Sequence, residues 1–194
     1  MMELAARPDV ARIDANPQVR IALPAPTGGD TASRAAQGVE WNIKRVNADD
    51  VWALGYRGEG MVVADADTGV DWDHPVLKNQ YRGWDGSTAD HNYNWHDATS
   101  AHSATPVDLY SHGTITTSEM VGDDGGSNRI GVAPGARWIA CRNMDGSGTG
   151  TPASYTECFE WLMAPYPIGD EPGQGDPALA PDSINNSWLC PPSE

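Results

Sequence analysis

Two short apolar runs stand out in an otherwise polar chain, Met61-Val62-Val63-Ala64 and Trp138-Ile139-Ala140-Cys141, and Ile184 to Leu189 reads as a third strand. Met61 to Ala64 lacks polar–apolar alternation, which fits a strand covered on both faces. Helical signals lie around and between the runs. Asn47 is a candidate N-cap, Asp49 and Asp50 suit the positive end of a helix, and Gly55 can close it in the left-handed conformation. Val51, Trp52 and Leu54 would be its buried side. A second helix is predicted over Ser111 to Val121. A third is capped by Thr151, with Pro152 at its first position and Tyr155, Cys158, Phe159 and Leu162 at helical spacing.

Loops separate these elements. Gly58-Glu59-Gly60 and Asp123 to Asn128 read as turns, and Pro165 to Pro181 as a proline- and glycine-rich connection. Asp71 to Asp108 is polar and Trp-rich with little periodicity, which predicts loops with short elements. Before the first helix, Val10 to Ile13 and Val19 to Leu23 are strand-like, and Pro24 to Thr31 is an exposed linker. Strand, helix, strand, helix, strand implies an α/β domain with a mostly parallel sheet flanked by helices.

The 194 residues suffice for one domain with a real core. With 27 Asp+Glu against 12 Lys+Arg, the net charge of −15 argues against nucleic acid and against an anionic membrane surface as partners. No stretch is apolar for long enough to span a bilayer, and no secretory signal is visible at the start of the chain. The three cysteines, Cys141, Cys158 and Cys190, form no CxxC, so no zinc site and no metal ligands are predicted. Their odd number leaves at least one thiol without a partner in this chain, and Cys141 reads as a small buried apolar residue.

The candidate chemistry lies at strand and helix ends. Asp67-Thr68-Gly69 follows the first apolar run, where the carboxyl ends of parallel strands gather functional groups. His112-Gly113-Thr114 opens the second helix, with Ser111 as a possible cap. A buried Asp that accepts from one imidazole nitrogen leaves the other as a general base. Asp-Thr-Gly also occurs where two aspartates share a proton, so an aspartic-protease reading of Asp67 is an alternative. Asp65 adds a carboxylate on the same side of the strand, and the two repel unless one finds a donor.

Val62 to Asp71, His74-Pro75, His112-Gly113-Thr114, Gly131 to Ala136, Asp145 to Gly148 and Asn185 to Trp188 together resemble the subtilisin-like serine proteases, the subtilases. The resemblance runs from about Val39 to the end. It implies the N-terminal part of a subtilisin-like sheet, incomplete, and a serine endopeptidase in which Asp67 and His112 are two members of an Asp-His-Ser triad. Gly146, Ser147 and Gly148 would line one side of a substrate cleft, and Ser187, Trp188 and Leu189 the other, with an extended peptide or protein substrate between them as an added strand. Arg7 to Asn16 looks like the end of an inhibitory propeptide. The implied organisation is a propeptide tail at 1–22, a linker with a maturation site at 23–38, and a partial catalytic domain at 39–194. The propeptide would act as an intramolecular inhibitor, and the full-length protein would be secreted.

The sequence also departs from the family pattern. No Ser stands in a Gly-Thr-Ser-Met-Ala context and no Asn in an Ala-Gly-Asn context, so this chain is expected to be part of a longer protease and inactive alone. A non-catalytic peptide-binding relic is the second alternative. No cofactor is predicted, and a structural calcium ion is unsupported by Val76, which stands where the family carries an Asp ligand. Ile115, Ser118 and Glu119 replace the family's residues on the His112 helix, and Glu119 is expected to place a carboxylate on a buried face. Leu189 is expected to narrow a specificity pocket.

Overall fold

The computed structural model describes residues 7–21, 38–126 and 128–189. The linker expected at 23–38 lies outside the described residues except for Gly38, as does Cys190. Two short strands, β1 (Val19–Arg20) and β2 (Gly38–Val39), precede two short helices, α1 (Trp41–Arg45) and α2 (Ala48–Ala53). Then come β3 (Val62–Asp67), β4 (Trp95–Asp97), α3 (His112–Val121), β5 (Asn128–Arg129), β6 (Arg137–Arg142), β7 (Thr149–Gly150), α4 (Pro152–Met163) and β8 (Ser183–Asn185).

Four strands form one parallel sheet in the order β4-β6-β3-β8. Strands β3 and β6 pair along their full length, from Val62 opposite Arg137 to Asp67 opposite Arg142. On one face, Ala64, Ala66, Ile139 and Cys141 pack against Cys158, Trp161 and Leu162 of α4. On the other, Val63, Trp138, Ala140 and Trp95 pack with Val121 of α3 and with Val70, Leu77 and Tyr81. Alternate residues of β3 therefore feed two cores, as the pleat requires. Asp65 and Asp67 have the same parity as Val63, which puts both carboxylates on the α3 face.

The outline read from the sequence holds, with several corrections. Strand β3 runs on to Asp67 rather than ending at Ala64, and β8 covers Ser183–Asn185 rather than Ile184 to Leu189. Val10 to Ile13 forms no strand. Asn47 stands at the N-cap of α2, but with φ 58° and no side-chain capping bond. Trp52 and Ala48 are the buried residues of α2, while Val51 and Leu54 are exposed. Helix α4 matches its expected start, with Thr151 and Ser154 forming a reciprocal capping box.

The Trp-rich segment contains β4, an edge strand that no apolar run marks. Its backbone is held partly by tryptophans. The indole N–H of Trp95 donates to the Ser103 carbonyl, and that of Trp138 to the Leu77 carbonyl, both at 2.8 Å. Each ring adds apolar area to the core and satisfies a loop carbonyl.

Cys141 is not a free buried thiol. It is joined to Cys158 in a disulfide that ties β6 to α4 across 17 positions. Both residues are fully buried. A loop of this length predicts a contribution of about 3 kcal/mol from restriction of the unfolded chain. Cys141→Ala/Cys158→Ala should lower the unfolding free energy by that order in urea titration, and a reducing agent should have no further effect on the variant.

Candidate active site

Asp67 is the last residue of β3, and His112 is the first residue of α3. His112 Nδ1 lies 2.7 Å from Asp67 Oδ1. With Nδ1–H donating, Nε2 carries the ring's free lone pair in the neutral imidazole. The His112 side chain keeps 15% of its surface exposed, against 1% for Asp67. The structure thus brings the carboxylate and the imidazole into the pairing expected from the sequence.

Two features hold the pair. The first is a close approach: a Cβ on Gly113 would lie 2.1 Å from the Gly69 carbonyl oxygen and 3.2 Å from Asp67 Cβ. Only glycine lets the helix start this close to the end of β3. The second is Asp108. Its Oδ1 accepts from the backbone N–H groups of Tyr110 and Ser111 and from the Thr68 hydroxyl, and its Oδ2 accepts from Thr114 N–H and Thr114 Oγ1–H. Thr68 Oγ1 in turn accepts from Gly113 N–H at 3.0 Å. These bonds satisfy free N–H groups at the start of α3. Ser111, expected as the cap, occupies the N-cap position with φ 71° and no side-chain capping bond. Asp108 went unnoticed in the sequence. Its signal is an Asp three residues before Ser111, the spacing of a side chain folding back onto the backbone.

Burial raises the pKa of both carboxyls on this face of β3. Burial pushes the Asp67 carboxyl above the usual range, against the opposing effects of the His112 and Thr68 hydrogen bonds. Its second oxygen, Oδ2, is buried with no hydrogen-bond partner among the described residues. Burial, reinforced by the charge of Asp67, raises Asp65 to about 7. The repulsion expected between the two is met by donors: Asp65 accepts from Thr116, Thr117 and Asn185. One row across the sheet, Arg142 pairs with Asp97 at 3.2 Å, and its Nε donates to the Thr68 carbonyl. All three side chains of the row Asp67, Arg142 and Asp97 are buried.

The expected cleft residues are placed less evenly. Gly146 and Ser147 form a turn closed on Asp145, with Ser147 N–H and Oγ–H both donating to Asp145 Oδ1. The strand itself is Thr149–Gly150, and β1 of the N-terminal arm pairs with it antiparallel. Gly148 contributes its carbonyl, which accepts from Ile21 N–H at 2.8 Å. Val19 and Ile21 are buried with Met144 and Tyr155, against Tyr110 and Trp188. Trp188 stacks on Tyr155 with ring centroids 4.3 Å apart and donates to the Ala66 carbonyl. Ser187 lies outside any strand, bonded to Asn185. Leu189 is 62% exposed. Glu119 and Ile115 are exposed too. The buried positions of α3 are Gly113, Thr117 and Val121, so the face expected to be buried is one helical step away.

The site is thus a carboxylate–imidazole pair at the carboxyl edge of a parallel sheet, near a strand that pairs with an extended segment of the N-terminal arm. The subtilase family model matches residues 58–189. The sequence is 47% identical to Bacillopeptidase F of Bacillus subtilis strain 168 over 161 residues, 81% of this chain and 11% of that protein. It is 37% identical over 111 residues to the minor extracellular protease Vpr of the same strain, 55% of this chain and 13% of that protein. It is 33% identical over 122 residues to that strain's major intracellular serine protease, 62% of this chain and 34% of that protein. The chain belongs to the subtilase family. It spans from 11% to 34% of the length of these relatives.

Two predictions follow from this geometry. Gly113→Ala should force α3 away from β3 and cost more than about 2 kcal/mol of stability in denaturant titration. The second concerns pH. An acid whose folded pKa lies above its unfolded value of about 3.9 stabilises the fold when protonated, and that stability is lost as pH rises through the folded pKa. The unfolding free energy of the wild type should therefore fall between about pH 4 and pH 7 more steeply than that of Asp65→Asn. Equal slopes would contradict the assignment.

Proposed function

We propose that this chain carries the Asp and His of an Asp-His-Ser endopeptidase, with the nucleophilic Ser supplied by residues outside it. The observation that carries this reading is the 2.7 Å bond between His112 Nδ1 and Asp67 Oδ1 at the end of β3. Asp67 orients the ring and stabilises the imidazolium, and Nε2 takes the proton from the serine hydroxyl and returns it to the leaving amine. The aspartic alternative has less support, since Asp67 Oδ1 faces an imidazole and a backbone N–H rather than a second carboxyl.

The N-terminal arm acts as an inhibitory propeptide tail in this reading. It adds to β7 as an extended strand, and Val19 and Ile21 fill the apolar hollow between Tyr110, Met144, Tyr155 and Trp188. Asn16 Oδ1 also accepts from Ala153 N–H in the first turn of α4. The substrates are extended peptides or proteins held by the same main-chain bonds. The site of action is extracellular: a buried disulfide suits an oxidising compartment, and one relative is named extracellular.

A fluorophosphonate probe tests the reading. This chain alone should not react. A longer form that includes a downstream Gly-Thr-Ser-Met-Ala segment should be labelled, and His112→Ala should slow its peptide hydrolysis by about 10⁴-fold or more. Labelling of the short chain that depends on His112 would overturn the proposal.

A further inference from the structure

A buried carboxylate that contributes nothing obvious to the acid–base pair lies beside it. Asp65 is 1% exposed and sits two residues before Asp67 on the same face of β3. Its Oδ2 accepts from Thr116 Oγ1–H at 2.8 Å and from Thr117 Oγ1–H at 3.0 Å, and its Oδ1 accepts from Asn185 Nδ2–H at 2.8 Å. One side chain thus bridges the strand that carries Asp67, the helix that carries His112 and the neighbouring strand β8.

A stability role alone does not account for it. Burying a second carboxylate next to Asp67 costs desolvation and like-charge repulsion, and an apolar residue would pack here without either. The groups around it do not neutralise it. Asp67 shares its strand, Ala140 and Asn185 lie opposite on β6 and β8, and α3 brings His112 above and Glu119 at its exposed end. Arg142 lies one row further on and is engaged by Asp97.

We propose that Asp65 is a positioning residue for His112, acting through the hydroxyls of Thr116 and Thr117 to set the roll of α3 over β3. The inference rests on the reading of Asp67 and His112 as the acid–base pair. Helix α3 is anchored at its start by Thr68 and Asp108, which fix where it begins. Those contacts lie in the first turn. The Asp65 bonds lie one turn later, so the direction of the His112 side chain is held at two points along the helix. Thr116 makes the link specific. Its Oγ1 is also 3.3 Å from the His112 carbonyl and 3.1 Å from the Gly113 carbonyl, and its single proton can serve only one acceptor well. With Asp65 as acceptor the hydroxyl pulls the helix toward β3. Without it, the hydroxyl turns back onto the helix's own carbonyls.

Proton NMR of this chain at low temperature tests the idea without requiring hydrolysis. An imidazole Nδ1 proton shared with a carboxylate gives a strongly deshielded resonance, assigned to His112 by its loss in His112→Gln. Asp65→Asn should move this resonance upfield or lose it to solvent exchange. Thr116→Val/Thr117→Val should do the same with Asp65 in place, and serves as the test should Asp65→Asn fail to fold. Thr116→Ser/Thr117→Ser, which keeps both hydroxyls, should restore the wild-type position. An unshifted resonance in a folded Val double variant would overturn the tie while leaving the Asp67–His112 pairing intact. Absence of the resonance from the wild type would instead overturn the pairing, and the tie with it.

Discussion

The contact on which the site depends is the approach of α3 to the end of β3, where Gly113 sits against the Gly69 carbonyl. A Cβ at Gly113 would stand 2.1 Å from that oxygen, so the helix axis would have to move outward. The imidazole at the first helical position would move with it. A hydrogen bond of 2.7 Å tolerates little displacement before it is lost. Asp108 and Thr68 make the approach affordable by accepting the N–H groups that the helix start would otherwise leave unpaired. Packing and hydrogen bonding at this junction are therefore one constraint.

Around that junction the protein buries three carboxylates, Asp65, Asp67 and Asp97, with Arg142 as the cation in the same rows of the sheet. Arg142 is shared between Asp97 and the Thr68 carbonyl. It therefore braces the residue after Asp67 without neutralising Asp67 itself. Burial lifts both Asp65 and Asp67 above their ordinary range, and for Asp65 the charge of Asp67 adds to it. A carboxylate left without a compensating cation is a stronger partner for an imidazolium.

Much of this was legible in the sequence, for physical reasons that vary along the chain. The central strands announce themselves because both faces are covered and each carries an apolar run, Val62 to Ala64 and Trp138 to Cys141. Thr151 with Pro152 marks the start of α4 because capping is a local bond. Asp67 and His112 could be paired because strand ends and helix starts converge at one sheet edge. Other features depend on tertiary partners that no local pattern encodes. Strand β4 is Trp-His-Asp, and it forms because β6 offers a free edge. The α3 face was misjudged because Ile115 and Glu119 look inward on a helical wheel, whereas Gly113, Thr117 and Val121 are the buried positions. Gly146 to Gly148 were expected by resemblance as an edge strand, but β7 begins at Thr149 because Gly146 and Ser147 are drawn into the turn on Asp145.

The Cys141–Cys158 bond also shapes how this region moves. The covalent ring it closes includes the Asp145 turn, all of β7 and the first half of α4. Should that segment open, its ends stay fixed, with α-carbons 5.6 Å apart. The loosened segment can then explore only the conformations of a short closed circle. Its gain in disorder is small, and the route back is short, because the chain need not search for the place where it was attached. A segment closed this way can loosen and still return to one shape.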